Sequence, residues 1–584
     1  MFDRLRPLTP YLKRYWLSLA WGGVATILYC AIRVMIPLVI GHAVDDMQHG
    51  LTEQKVMYHA LRLLGIAALS AVFLYTTRQV IIGVSREIEF DLRNDLFANL
   101  ERQPASFFHT HRTGDIMART TNDLSAVRQL LGPAIMYSAN TIVFTMAALP
   151  FMYRISPRLT FIAFVPLPMA SVIVQVFGNR IHRRFERIQA MFSDISAKAQ
   201  ENFAGARLIR AFAQEDAEIE KFEIANKEYI GRSLHLVRLM AMLWPTLEFM
   251  LGVSLMITLL VGGHEVVAHK ISVGQFTSFN VYMVQLTFPM IAVGWVVNLF
   301  QRGTASIVRI DELLKQVPAI EDGPEILSGN ATEPILGGIE FRGLTFAYGT
   351  GPAVLHDVDL KVPAGTSLAV VGPTGSGKST LVGLIARLHD AAPGTVLIDD
   401  LPIREYPLQA LRGSIGLVPQ ETFLFSTTVR QNIAFGVPDA TDGQVREAAG
   451  IAHIRTEIEE FPKGFETMVG ERGVTLSGGQ KQRTSIARAV LRDPSILILD
   501  DALASVDTYT EEQILSGLRQ VMQGRTTVLI SHRISTARNT DQIAVLDGGR
   551  IVELGTHDEL LGLNGHYADL FEKQRLEEEL AVTS

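Results

Sequence analysis

Apolar positions crowd the first 310 residues and fall into long uncharged stretches. Tyr15–Ile32 holds no Asp, Glu, Lys or Arg; Arg33 interrupts it, and it resumes to Val44. Leu63–Thr77, Gln129–Tyr153, Leu159–Asn179, Phe249–His264 and Ile271–Gln301 follow. A helix of about 25 residues rises roughly 37 Å, enough for a hydrocarbon core of about 30 Å. The pattern predicts six membrane-crossing helices. Basic residues concentrate in two connections: Arg86, Arg93, Arg102, Arg112, Arg119 and Arg128 after the second stretch, and Arg180, Arg183, Arg184, Lys198, Arg207 and Arg210 after the fourth. Both should be cytoplasmic, and both termini with them. These connections keep helical patterning, so their helices should run well past the membrane.

After Arg302 the character changes. "RIDELLKQVPAIEDGPEILSGNATEP" is polar and carries Pro and Gly, the composition of a linker. From about Gly338, short apolar strands alternate with helices, as in "SLAVVGPTGSGKSTLVGLIARL", "SILILDD" and "TTVLISH". That is an α/β pattern with a mainly parallel sheet. The expected division is a six-helix, all-α membrane domain at 1–310, a linker at 311–337, an α/β domain at 338–575 and a tail at 576–584.

Composition agrees with a part-embedded chain. Hydrophobic residues make up 48% of 584, charged residues 19%, and mean hydropathy is +0.22. The net charge of −7 gives no reason to expect a nucleic-acid partner. A single cysteine, Cys30, excludes an internal disulfide framework and a zinc cluster. The N-terminal residues lack the pattern of a cleavable signal peptide.

"GPTGSGKST" fits G-x-x-x-x-G-K-[ST], follows an apolar strand and opens a helix, which is the context a phosphate-binding loop requires. Its residues are Gly372, Pro373, Thr374, Gly375, Ser376, Gly377, Lys378, Ser379 and Thr380. The glycines let the backbone approach phosphate oxygens, and the helix start supplies aligned N–H donors. Lys378 brings a positive charge to the β/γ-phosphates, and Ser379 a hydroxyl to Mg²⁺. Asp500, at the end of "ILIL", is the acid expected to support that cation.

"LSGGQKQR", at 476–483, settles the resemblance: with the loop above, it is similar to the signature of ABC transporter ATPases. The rest is implied by that resemblance. Tyr348 in "FAYG" matches the aromatic that stacks on adenine, and Gln420 in "LVPQETFLF" the glutamine that touches Mg²⁺ and senses the membrane domain. "GERG" at 470–473 resembles the segment that exporters place before the signature. Asp507 in "ASVD" occupies the D-loop, and His532 in "LISHR" matches the switch histidine. Leu476, Ser477, Gly478, Gly479 and Gln480 would act in trans, closing an ATP site on a second copy of the domain. The fold implied is a six-helix membrane domain followed by a P-loop NTPase domain with the ABC helical subdomain. "SFFHTHRTGDIMARTTND" and "ENFAGARLIRAFAQED" resemble the segments that couple the two. The whole looks like a half-transporter of the bacterial multidrug and lipid exporter type, lodged in the cytoplasmic membrane with its ATPase inside.

One position departs from the family. Its strand usually ends Asp-Glu, the glutamate polarising the attacking water; here Asp501 stands there. Aspartate is one methylene shorter, roughly 1.5 Å of reach, and a misplacement of about 1 Å can cost on the order of 10²-fold in rate. In heterodimeric exporters, the subunit with Asp here keeps an intact signature, as this chain does. The resemblance therefore implies ATP-driven export of hydrophobic or amphipathic drugs, lipids or peptides by one half of a heterodimer, with Asp501, His532 and Gln420 in catalytic positions and Ser379, Gln420 and Asp500 around Mg²⁺. A homodimer is one alternative; a nucleotide-gated channel or regulator with little turnover is another. Six crossings argue against a soluble repair ATPase, and their fusion to the ATPase argues against an importer. Arg33 and Glu248 are ionisable residues at or near membrane depth, open to a role in a substrate cavity or to pairing and snorkelling.

Overall fold

The computed structural model describes residues 2–48, 50, 52–323, 326, 334–470, 473, 475–504, 506 and 508–583. Two compact units emerge: Met1–Arg102 with His111–Gln316, and Gln103–Thr110 with Val317–Ser584.

The first unit is helical. Its main elements are α1 (Trp16–Gln48), α2 (Glu53–Glu101), α3 (Thr113–Ile155), α4 (Pro157–Phe164), α5 (Pro166–Ala204), α6 (Glu215–Val267) and α7 (Val273–Leu314). Among the described residues five of these, all but α4 and α5, are long and apolar enough to cross a bilayer. The fourth expected crossing, Leu159–Asn179, differs: it breaks at Val165 between α4 and α5. Pro166 opens α5 and has no N–H to give to the preceding turn, so the ladder loses a bond there. The expected extensions are present, since the 49 residues of α2 rise roughly 73 Å, more than twice a hydrocarbon core.

Caps start the helices where the sequence changes character. The Thr52 hydroxyl accepts from Lys55 N–H at the head of α2, and Ser272 with Gln275 forms a reciprocal capping box at the head of α7. Tyr29, Cys30 and Val34 of α1 pack with Phe144 of α3 and with Phe279, Tyr282 and Leu286 of α7. A second core joins Ile88 and Leu92 of α2, Leu124 and Val127 of α3, and Ile307 and Ile310 of α7. Polar bonds stitch α1 to α7. Ser278 Oγ donates to Pro37 O at 2.8 Å and Tyr282 Oη to Val34 O at 2.7 Å. The Asp45 carboxylate accepts from Ser272 Oγ and Gly274 N–H, both at 2.7 Å. Helix α3 holds two π-helical turns, Arg119–Asp123 and Leu130–Ala134. In the first, buried Asp123 accepts from Ser306 Oγ at 2.7 Å and Arg309 Nε at 2.8 Å, both on α7.

The second unit carries two sheets. Its strands are β1 (Ile339–Ala347), β2 (Ala353–Val362), β3 (Ser367–Val371), β4 (Val396–Ile398), β5 (Leu401–Pro402), β6 (Ile415–Val418), β7 (Ile496–Asp500), β8 (Thr526–Ile530), β9 (Gln542–Asp547) and β10 (Arg550–Gly555). The antiparallel sheet runs β2-β1-β4-β5, and the larger one β10-β9-β3-β8-β7-β6. In the larger sheet all neighbours are parallel except β10 on β9. Strands β3, β7 and β8 are almost wholly buried, as their continuous Val/Ile/Leu runs require. Ile530 at the end of β8 pairs with Val370 on one side and Asp500 on the other. The loops after three adjacent strands therefore leave the same edge. A further core, including Leu424, Ile433, Val445, Ile458 and Ile486, holds helices packed around α9 (Gly478–Leu491).

Candidate nucleotide site

Ligands of open parallel sheets bind beyond the carboxyl ends of the strands, and this edge gathers the chemistry. The loop after β3 leads into α8 (Lys378–Ile385). Gly372 has φ +146°, and a Cβ there would lie 2.1 Å from the Leu546 carbonyl oxygen. Gly377, the residue before α8, has φ +102°, and its Cβ would meet Leu355 at 2.8 Å. Neither position accommodates another residue.

A cavity of about 270 Å³ opens there. Thr374, Gly375, Gly377, Lys378, Ser379 and Thr380 line one side, and Gln420, Asp500, Asp501 and His532 the other. Lys378 is buried, and its Nζ donates to the carbonyls of Gly372 and Pro373 at 2.9 and 2.8 Å. Burial lowers its pKa, against the pull of Asp501 and Asp500. Ser379 Oγ donates to Asp500 Oδ1 at 3.1 Å. Burial raises the Asp500 carboxyl above the usual range, with the Ser379 bond opposing and Asp501 adding to the rise. Ser376 is buried beneath the loop. Asp501 sits at φ +50°, its N–H donating to Ile530 O at 3.0 Å. Left-handed backbone suits aspartate better than most residues.

Tyr348 lies beside the cavity without lining it. Its hydroxyl and Thr380 Oγ1 are 2.8 Å apart, and its ring packs edge-on against Phe346 and His389. Tyr348 is part-exposed, as a stacking platform requires.

The signature residues stand apart from this cavity. None of Leu476, Ser477, Gly478, Gly479 and Gln480 lines it. Leu476 is buried, while Ser477 and Gly478 are exposed at the head of α9. Ser477 and Gln480 form a capping box, with Gln480 N–H on Ser477 Oγ at 3.2 Å. Sequence reading missed Glu457. It accepts from Gln480 Nε2 at 3.0 Å and pairs with Arg483, so it fixes the helix start. Burial would raise this carboxyl, but the Arg483 and Gln480 bonds hold it below the usual range. No motif marks Glu457, which lies in a separate short helix ahead of the signature. Asp507 lies outside the described residues, as do Glu471 and Arg472 of "GERG".

In the membrane unit, Arg33 sits mid-way along α1 on the stripe of its buried residues. Its guanidinium donates to Tyr29 Oη at 3.0 Å and lies 5.0 Å from the Phe144 ring centre. Glu248, on α6, is exposed.

Residues 19–290 match the family described as ABC transporter transmembrane region, and residues 355–504 the family described as ABC transporter. The chain is 36% identical over 579 residues to a probable multidrug resistance ABC transporter ATP-binding/permease protein, YheI, of Bacillus subtilis, covering 99% of this chain and 98% of that one. It is 36% identical over 573 residues to the multidrug resistance-like ATP-binding protein MdlA of Escherichia coli, covering 98% and 96%. An ATP-dependent lipid A-core flippase of Desulfotalea psychrophila is 36% identical over 514 residues, covering 88% and 89%. Among solved structures, a bacterial Atm1-family ABC exporter with ATP bound superposes with a TM-score of 0.75 at 28% identity, covering 96% of this chain and 99% of that one.

Proposed function

Because the chain belongs to the ABC transporters with membrane and ATPase domains fused, an exporter family whose ATP hydrolysis is coupled to transport, we propose that it is one half of a heterodimeric exporter whose own ATP site is slow. The observation that carries this reading is the composition of the cavity: it holds the phosphate loop, Gln420, Asp500, Asp501 and His532, but no signature residue. One copy thus supplies two half-sites. The exposed head of α9, with its N–H groups and positive helix end, is built to meet a γ-phosphate held by a second ATPase domain.

In this reading Lys378 and the loop amides cradle the phosphates, and Tyr348 stacks on adenine. Ser379 Oγ, the Asp500 carboxylate and the Gln420 amide oxygen are hard oxygen donors on one cavity, a set that suits Mg²⁺. The cation would neutralise charge developing on the phosphates. His532 contacts the γ-phosphate, and Asp501 stands where the water must be polarised. Its reach is short by a methylene, so closure at this site is long-lived and turnover falls to the partner's site, completed by Ser477–Gln480 of this chain. The ATPase domain and both termini face the cytoplasm, and ATP-driven closure switches the spans from inward to outward access. Exported molecules are hydrophobic or amphipathic drugs, lipids or peptides, in keeping with relatives named for multidrug resistance and lipid A export. Arg33, caged by Tyr29 and Phe144 at mid-helix, is the residue we assign to an anionic group of such a substrate; Glu248 is a second candidate.

The test is ATP hydrolysis by complexes purified in lipid. This chain alone should turn over slowly, and a complex with a half-transporter carrying Asp-Glu should turn over briskly. In that complex Ser477→Arg should be far more damaging than Asp501→Asn. Brisk hydrolysis by the chain alone, abolished by Asp501→Asn, overturns the slow-site reading in favour of a homodimer. A complex without steady turnover favours a nucleotide-gated channel.

A further inference from the structure

Helix α11 (His566–Thr583) follows β10 in the second unit. Its first turn is fixed, because the N–H groups of His566 and Tyr567 donate to the Glu553 carboxylate at 2.6 and 2.9 Å. The Tyr567 ring is fully buried in a core with Ile534, Ala537 and Leu560. About two turns on, Gln574 reaches the segment that leaves β8. Its amide N–H donates to the His532 carbonyl, and its amide oxygen accepts from Ile534 N–H at 2.8 Å. One side chain therefore bridges the peptide groups on both sides of Arg533. Ile534 opens a short helix, so its N–H has no partner within that helix. On the side-chain level, Glu511 of α10 (Thr508–Met522) holds the Arg533 guanidinium and the Thr536 hydroxyl. The backbone of the turn is thus pinned from α11 and its side chains from α10, while the His532 side chain lines the nucleotide cavity.

We infer that Gln574 is a positioning residue for His532: it fixes the backbone that aims the imidazole at the γ-phosphate, and so ties this end of α11 to ATP sensing. The inference rests on the reading of His532 given above. Glutamine fits because the task needs one donor and one acceptor on a planar group. Methionine would fill similar space and supply no donor and only a weak acceptor.

The test reads nucleotide discrimination at this chain's own site, which does not depend on turnover there. In the assembled transporter in lipid, this chain is photolabelled with azido-ATP or azido-ADP over a concentration series. His532→Ala should weaken ATP labelling by about tenfold, the loss of a hydrogen bond to a charged group, and leave ADP labelling unchanged. Gln574→Met should weaken ATP labelling by about threefold, a fraction of the same bond, again with ADP unchanged. The double variant should match His532→Ala alone. A wild-type ATP:ADP ratio in Gln574→Met, equal loss of both nucleotides, or an additive double variant overturns the inference. If His532→Ala itself leaves the ratio unchanged, the reading of His532 falls and the inference with it.

Discussion

Asp500 and Asp501 are neighbours with opposite relations to burial and backbone. Burial raises the Asp500 carboxyl, so its ionised form is costly in the folded protein and its contribution to stability falls as pH rises past the unfolded value near 3.9. Asp500→Asn should therefore hold or raise the melting temperature without nucleotide. It should also remove the increase that Mg-ATP gives the wild type, since an amide cannot support the cation. Differential scanning calorimetry with and without Mg-ATP checks both. Asp501 occupies left-handed backbone, where a longer side chain is less at ease. Asp501→Glu should lower stability by about 1 kcal/mol yet raise hydrolysis at this chain's site, measured in a complex whose partner site is disabled. The residues that gather at the cavity were legible because each comes from a short contiguous stretch. The left-handed turn at Asp501 and the Tyr348–Thr380 contact were not, because partners 32 residues apart meet only once the two sheets fold.

Among the elements, α9 shows how a short helix start is kept in shape from a distance. Glu457 ties Gln480 and Arg483 together, and those bonds hold its pKa below the ordinary value. Its stabilisation is present above the unfolded value near 4.3 and is lost as pH falls through the lower folded value. Glu457→Gln keeps the shape and loses the charge. It should speed amide exchange in the first turn of α9 at neutral pH, and slow the partner site by about tenfold through a looser signature. Hydrogen-exchange mass spectrometry and steady-state hydrolysis give the two readings. The signature was plain in sequence, but its support was not, since it lies in a separate helix. The fourth apolar stretch hid a local detail. Pro166 and Pro168 were in view, yet an apolar run hid the break between α4 and α5.

For the molecule as a whole, the orientation rests on the basic residues of the two long connections. Cysteines at Gln48 and His269, both exposed at helix ends, should react with an impermeant maleimide from outside in a Cys30→Ser background. A cysteine at Thr113 should react only from the cytoplasm. Mass-tag labelling of right-side-out vesicles decides this, and external labelling of Thr113 reverses the orientation. The division into helical and α/β units followed directly from hydropathy. The proposed dependence of each ATP site on two chains rests only on the resemblance and the cavity, because no local pattern says that a motif serves another molecule.

The π-helical turns of α3 have a consequence for chain length. A π turn holds one residue more than the α-helix it interrupts, so each rotates the downstream part of the helix by roughly 100°. The turn at Arg119–Asp123 is an extra residue absorbed without a loop, and Asp123 uses the displaced position to meet Ser306 and Arg309. Deleting Thr120 should let the segment close as plain α-helix and leave the faces on either side in phase. A deletion in the regular stretch Ile135–Ile155 would instead turn every downstream core residue away from its partners. The helix thus carries two places where its length is adjustable, both ahead of the regular stretch Ile135–Ile155.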